Sequence, residues 1–169
     1  MENEIKENLT VLSQNEYKDR VLKDFRIISL SRVCSVLGRR EVLTGKGKFG
    51  IFGDGKEVAQ IALNHFFNKG DFRSGYYRDQ TFMIAQGFLS PQQLFAALYA
   101  HPDIDHEPMS AGRQMGAHFS TTLVNEKGEW LDQINLKNHI SDISPTAGQI
   151  PRLVGLAQAS KIYRSLKID

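Results

Sequence analysis

The stretch from Asn15 to Leu37 constrains this chain more than any other. Tyr17, Val21, Leu22, Phe25, Ile28, Val33 and Val36 recur at helical spacing and share one face. Ile27, Leu30, Cys34 and Leu37 lie off that stripe. A helix that is apolar on two sides is buried in its own protein or covered by a partner. Gly38 is the expected stop, because glycine adopts the left-handed conformation that ends helices.

Five glycines follow within residues 45–55, which predicts a loop or a series of turns. A second helix is expected over Lys56–Phe67, with Val58, Ile61, Ala62, His65 and Phe66 on its inner face. A short extended piece should end at Tyr76-Tyr77-Arg78, and a short helix over Gln80–Gln86 should stop at Gly87. Ser90-Pro91-Gln92-Gln93 is a clear helix start: Ser90 caps, Pro91 takes the first helical position, and Gln93 completes a capping box. That helix should bury Leu94, Phe95, Leu98 and Tyr99. Residues 101–148 show little regular period, and so long an irregular stretch is functional or is ordered by a partner. A final helix is expected from Pro151 to Leu166. There is no internal repeat.

Composition narrows the class. Apolar residues are 41% of the 169, enough to bury a core, which excludes a disordered chain. Lys and Arg number 21 against 19 Asp and Glu, so the basic footprint of a nucleic-acid binder is missing. No apolar run is long enough to suggest a membrane span. The opening Met-Glu-Asn-Glu-Ile-Lys is too charged for a signal peptide and too acidic for a transit peptide. The single cysteine, Cys34, excludes an internal disulfide framework and a multi-cysteine zinc site. Together these features imply a cytoplasmic protein with no nucleic-acid or membrane partner.

Several segments carry chemistry, each beside a plainer reading. Gly45-Lys-Gly47-Lys-Phe-Gly50 has the letters of a dinucleotide loop, but a helix precedes it where that motif needs a strand, so a flexible loop is the better account. His101, Asp103, Asp105 and His106 could bind a divalent metal, but no further ligand pair stands nearby in sequence, so a solvated turn is the better account. Tyr77-Arg78-Asp79 offers a guanidinium suited to an anionic group, or merely a surface ion pair. Met115-Gly116-Ala117-His118-Phe119 sets a histidine among small and apolar neighbours, where it could transfer protons or simply be structural. Ser144-Pro145-Thr146-Ala147-Gly148-Gln149 is a polar loop entering an apolar helix, able to cradle a polar ring or an anion, or only to cap.

Taken in order, these segments resemble a known family. Gly55-Lys-Glu57 opening a helix comes first, then Tyr77-Arg78-Asp79. Gly112-Arg113-Gln114-Met115 with His118 follows, then Ser144-Pro145 with Gln149-Ile150-Pro151. That succession is similar to the alpha chain of the thiamine-diphosphate-dependent decarboxylase component of 2-oxo acid dehydrogenase complexes, over most of the chain. The Gly-Arg-Gln-Met and Gln-Ile-Pro forms resemble the branched-chain type, with a pyruvate or acetoin type as the alternative. The resemblance implies an α/β fold: the N-terminal half of a thiamine-diphosphate-binding domain, helix-rich, with a helical arm and glycine-rich loop over residues 1–50 and the domain proper over 51–169. It implies that Tyr77 and Arg78 contact the cofactor diphosphate and that Ser144 and Thr146 meet its aminopyrimidine ring. Phe49, Tyr77, Met115 and His118 would line the substrate side. His118 is the candidate catalytic group, polarising or orienting the substrate carboxylate or the lipoyl group.

The resemblance also implies partners: a beta subunit or beta-like domain carrying the activating glutamate, and a lipoyl-bearing acyltransferase. Some family features differ here. Gln80 stands where the family has histidine, Thr146 where it has a hydrophobic residue, and Gly148 where branched-chain members have a potassium-site threonine. Gly53-Asp54-Gly55 has the letters of the family's magnesium motif, but its place is the approach to the Gly-x-Glu helix; the magnesium motif itself is expected beyond Asp169. These differences keep two other classes open: a non-catalytic alpha-like module that binds a beta-like chain, and a metal enzyme using the His101–His106 cluster.

Overall fold

The structure, a computed structural model, describes residues 12–116 and 118–166. The charged N-terminal hexapeptide and Ala117 lie outside the described residues. Helix α1 spans Gln14–Leu43. It starts on a capping box: the Ser13 hydroxyl accepts from the Glu16 amide, and the Glu16 carboxylate accepts from the Ser13 amide at 2.8 Å. It does not stop at Gly38 as expected. A Cβ on Gly38 would lie 2.3 Å from the Phe52 ring, so this glycine lets an aromatic side chain pack against the helix backbone. The helix ends instead at Thr44, with Gly45 in the left-handed region at φ 78°.

Within the chain, α1 leaves its main apolar stripe uncovered. Its buried residues are Ser31, Cys34, Ser35 and Gly38, while Tyr17, Val21, Leu22, Phe25, Val33 and Val36 are exposed. Small side chains allow a close approach to the next layer, and their hydroxyls find partners there. Helix α2 (Glu57–Asn64) and helix α3 (Gln80–Ala85) pack on this face. Gln80 donates to the Ser31 carbonyl and hydroxyl, both at 3.0 Å, and to the Ser35 hydroxyl at 2.8 Å, while Ser31 and Thr81 share a hydroxyl bond of 2.7 Å. Helix α2 also turns differently from expectation. Ile61 is buried, but Val58 and Phe66 face outward, because Glu57 and Gln60 take the inner positions. Glu57 receives a bidentate guanidinium from Arg32 at 2.6 and 2.9 Å, which holds its carboxyl below the usual range.

Strand β1 (Phe72–Ser74) pairs in parallel with strand β2 (Asn138–Ile140), with Arg73 opposite His139. Parallel pairing requires a crossover, and here it carries α3, helix α4 (Pro91–Leu98) and the long irregular stretch. The protein is thus mostly helical, with a short two-stranded parallel sheet as its β component. Helix α4 begins on the expected Ser90–Gln93 capping box, and α3 gives way at Gly87, φ 78°. Leu94 and Leu98 are buried, whereas Tyr99 is half exposed with its hydroxyl donating to Glu41. Helix α5 (Gln149–Leu166) begins two residues before the expected Pro151 and has no buried residue; it packs along β1. The core gathers Cys34, Phe82, Met83, Leu89, Leu94 and Phe119. Burial pushes the Cys34 thiol above its usual pKa, so it serves as packing. Among the described residues, no helix is long and apolar enough to cross a membrane.

Candidate functional site

The core supplies the walls on which the site is mounted: Tyr77 packs against it, and Phe119 within it follows directly on His118. Between β1 and α3 the chain makes one tight turn, in which the Asp79 amide donates to the Tyr76 carbonyl at 2.9 Å. This turn replaces the expected extension through Arg78; the strand ends at Ser74. Asp79 also accepts from the Tyr76 amide at 3.0 Å. The Arg78 carbonyl is gripped by the Gln60 side chain at 2.9 Å. Gly53 lies so close to the same oxygen that a Cβ would come within 2.2 Å. Gly53 of the Gly-Asp-Gly segment is therefore a close-approach glycine that seats the turn.

With its backbone held, Arg78 is left with a guanidinium that has no carboxylate partner among the described residues. It lies 5.2 Å from the centre of the Tyr77 ring and 5.7 Å from that of Tyr76. The Tyr76 hydroxyl donates to Tyr77 and sits 3.3 Å from the Thr146 hydroxyl. Thr146 and Tyr77 together hold the Tyr76 phenol below its usual pKa, and the Tyr76 contact raises Tyr77.

His118 is half-buried beside them, its ring 6.4 Å from Tyr77. Its Nδ1 faces the Met115 carbonyl at 2.9 Å; a carbonyl can only accept, so Nδ1 carries the proton. In the neutral ring Nε2 is then the acceptor for the Ser144 hydroxyl at 2.7 Å. A basic nitrogen thus lies at the surface, oriented by one loop and occupied by a hydroxyl from another.

The loop before His118 is built around Glu107. Its buried carboxylate accepts from the Met109, Ser110 and Gly112 amides at 2.9 Å and from the Ser110 hydroxyl at 2.6 Å. Burial alone would raise its pKa, but these donors hold it below the usual range. Gly112 adopts φ 73° where a Cβ would meet the Ala100 carbonyl at 2.5 Å, so this glycine is required.

Five sequence-derived residues therefore come together from three segments: Tyr77, Arg78, His118, Ser144 and Thr146. Met115 joins through its carbonyl, with its side chain half exposed. Phe49 does not join; it is half exposed on the glycine-rich loop, and no hydrogen bond or ring contact links it to Tyr77 or His118. Its neighbour Gly50 does line an open cleft of about 240 Å³ with Arg39, Val42, Leu43, Phe52 and Arg78. A Cβ added at Gly47 or Gly50 would stand 3.1 or 2.8 Å from the Leu98 side chain, and the loop follows a helix. The His101 and His106 rings lie 4.6 Å apart, but among the described residues no three His, Cys, Asp or Glu side chains converge to hold a metal.

The chain matches no family model and no curated protein. Its functional reading rests on the order of its motifs and on this convergence.

Three further residues at the site carry only a weak local signal. Tyr76 bridges Tyr77 to Thr146. Arg73 and Asp142 lie beneath the site, 8% and 5% exposed, and form one ion pair at 3.3 Å. The hint available in sequence was a charge at an inward position of a short strand and another just ahead of Ser144-Pro145.

Proposed function

We propose that the chain is the N-terminal portion of the alpha side of a thiamine-diphosphate-dependent 2-oxo acid dehydrogenase, of branched-chain type. The single observation that carries this reading is the convergence of Tyr77-Arg78 with His118, Ser144 and Thr146, segments that the Tyr76–Thr146 contact joins across 70 residues. The donor set suits the cofactor: an arginine with no carboxylate partner among the described residues and several hydroxyls stand beside a loop that opens a helix. Arg78 and Tyr77 would hold the diphosphate, whose charge a guanidinium matches in a bidentate fork. Ser144 and Thr146 would meet the aminopyrimidine. When bound, thiamine diphosphate supplies an electron sink for decarboxylation of a 2-oxo acid.

His118 has its basic Nε2 turned towards Ser144. It would accept a hydrogen bond there and orient a substrate carboxylate or an incoming lipoyl group. Met115 and Tyr77 would exclude water on the substrate side. Magnesium would be held by residues other than these, and the activating glutamate by a beta partner.

Titration calorimetry with thiamine diphosphate and magnesium tests the reading. The full-length protein with its beta partner should bind the cofactor, and Arg78→Ala should weaken binding by roughly a hundredfold, the loss of one charge-assisted bidentate contact of about 3 kcal/mol. Equal affinity in Arg78→Ala and native protein would refute it. A non-catalytic alpha-like module is the second reading, favoured by the exposed apolar face of α1. It requires stable association with the beta-like chain in protein that binds no thiamine diphosphate.

A further inference from the structure

The candidate site is assembled from segments that share no secondary-structure element, and something must fix their spacing. Arg73 is placed to do so. Its Nη2 donates to Asp79 at 2.8 Å, to Asp142 at 3.3 Å and to the Tyr76 carbonyl at 3.4 Å. Asp79 in turn holds the Tyr76 amide, and Asp142 accepts from the Phe119 amide at 3.3 Å. One nitrogen thus ties the Tyr76–Asp79 turn to the residue after His118 and to the loop that leads into Ser144.

Room for the guanidinium is provided by Gly75, where a Cβ would stand 1.7 Å from Arg73 Nη2 and Cζ. Any other residue at 75 would displace it. An ion pair this deeply buried is a poor way to gain stability, since apolar residues of like volume often do as well or better. Its geometry accounts for it differently: it sets a register.

We infer that Arg73 is a positioning residue, whose clasp on Asp79 and Asp142 sets the distance between the Tyr77-Arg78 turn and the His118–Ser144 pair. The inference rests on the reading of that site as a cofactor site, but its geometric part can be tested without the cofactor.

The test uses the full-length protein with its beta partner and two variants, Arg73→Gln and the neutral pair Arg73→Gln/Asp142→Asn. The second avoids stranding a buried carboxylate and keeps a folded protein available. Thermal unfolding by circular dichroism establishes the fold. Ring ¹⁵N shifts of His118, recorded without ligand, report whether Nε2 still accepts from Ser144, and calorimetry with thiamine diphosphate and magnesium reports affinity. In the folded double variant the His118 Nε2 shift should move towards that of a free imidazole, and the cofactor Kd should rise about tenfold or more, the consequence of ångström-scale misplacement. A purely structural role would lower the melting midpoint of Arg73→Gln, restore it in the double variant, and leave the His118 shift and the Kd of folded protein unchanged; that result overturns the inference. If native protein and Arg78→Ala bind the cofactor equally, the site reading fails instead, and the His118 shift alone decides the role of Arg73.

Discussion

Two buried polar networks flank the turn that carries Tyr77 and Arg78, and they are built on opposite principles. On one side Ser31, Ser35, Gln80 and Thr81 join α1 to α3 with neutral groups. On the other, Arg73, Asp79 and Asp142 join three segments through one charge, with His139 opposite Arg73 in the strand pair. Hydroxyls can rotate to a new partner when one is lost, so the neutral network degrades gradually. A buried guanidinium has no such freedom, and removing its partner leaves an uncompensated charge. The neutral network is therefore a fastening and the charged one a gauge.

Substitutions that treat the two networks alike should separate them. The largest effect is expected for Asp142→Ala, which takes from Arg73 the more deeply buried of its two carboxylates; urea unfolding should register a loss of about 3 kcal/mol, within the range for breaking a buried pair. A loss below about 1 kcal/mol would mean that Asp79 alone satisfies the arginine. Gln80→Ala removes more hydrogen bonds yet should cost less, roughly 1–2 kcal/mol, because Ser31 and Thr81 keep each other. If the order of these two losses were reversed, the contrast between the networks would be void.

The smallest effect at neutral pH concerns His139. It is fully buried among Phe67, Phe82 and Phe88, and burial, with help from Arg73, lowers its pKa from 6.5 to about 4. The unfolded chain binds a proton more readily than the native one between those values, so stability should fall as pH drops from 6.5 towards 4. Asp142 works in the other direction: burial raises its pKa, so the native state takes up its proton first and gains from acid. His139→Leu should thus flatten the acid limb of a stability–pH curve while leaving stability near pH 7 little changed. A limb of unaltered steepness would place the acid sensitivity elsewhere.

The parts of this molecule that were legible in sequence share one property: their signal is local. The Ser90–Gln93 capping box, the stop at Gly87 and the sequence of helices each depend on residues a few positions apart. Tyr77, Arg78, His118, Ser144 and Thr146 could be grouped because their motifs follow one another in a familiar order. What was illegible depends on packing partners. The stripe from Tyr17 to Val36 satisfies every rule for an inner face, yet α1 turns Ser31, Ser35 and Gly38 inward, since α3 offers Gln80 and the glycine-rich loop offers Phe52. Gly38 has the appearance of a stop until the aromatic ring it accommodates is known. Ser13 with Glu16 was a capping box that the apolar period, starting later, concealed. Arg73 and Asp142, 69 residues apart, carry no mark of their pairing until the parallel strands bring them together.

That separation has a consequence during synthesis. Arg73 leaves the ribosome with Asp79 close behind, but Asp142 follows only 69 residues later. At about 5–20 residues per second, the second carboxylate arrives several seconds after the first. The strand pair cannot close before then, because β2 lies in the same late segment. The helices α1 to α4 can gather early around local contacts, while the Tyr77–His118–Ser144 constellation is left to the end, its timing set by the length of the crossover.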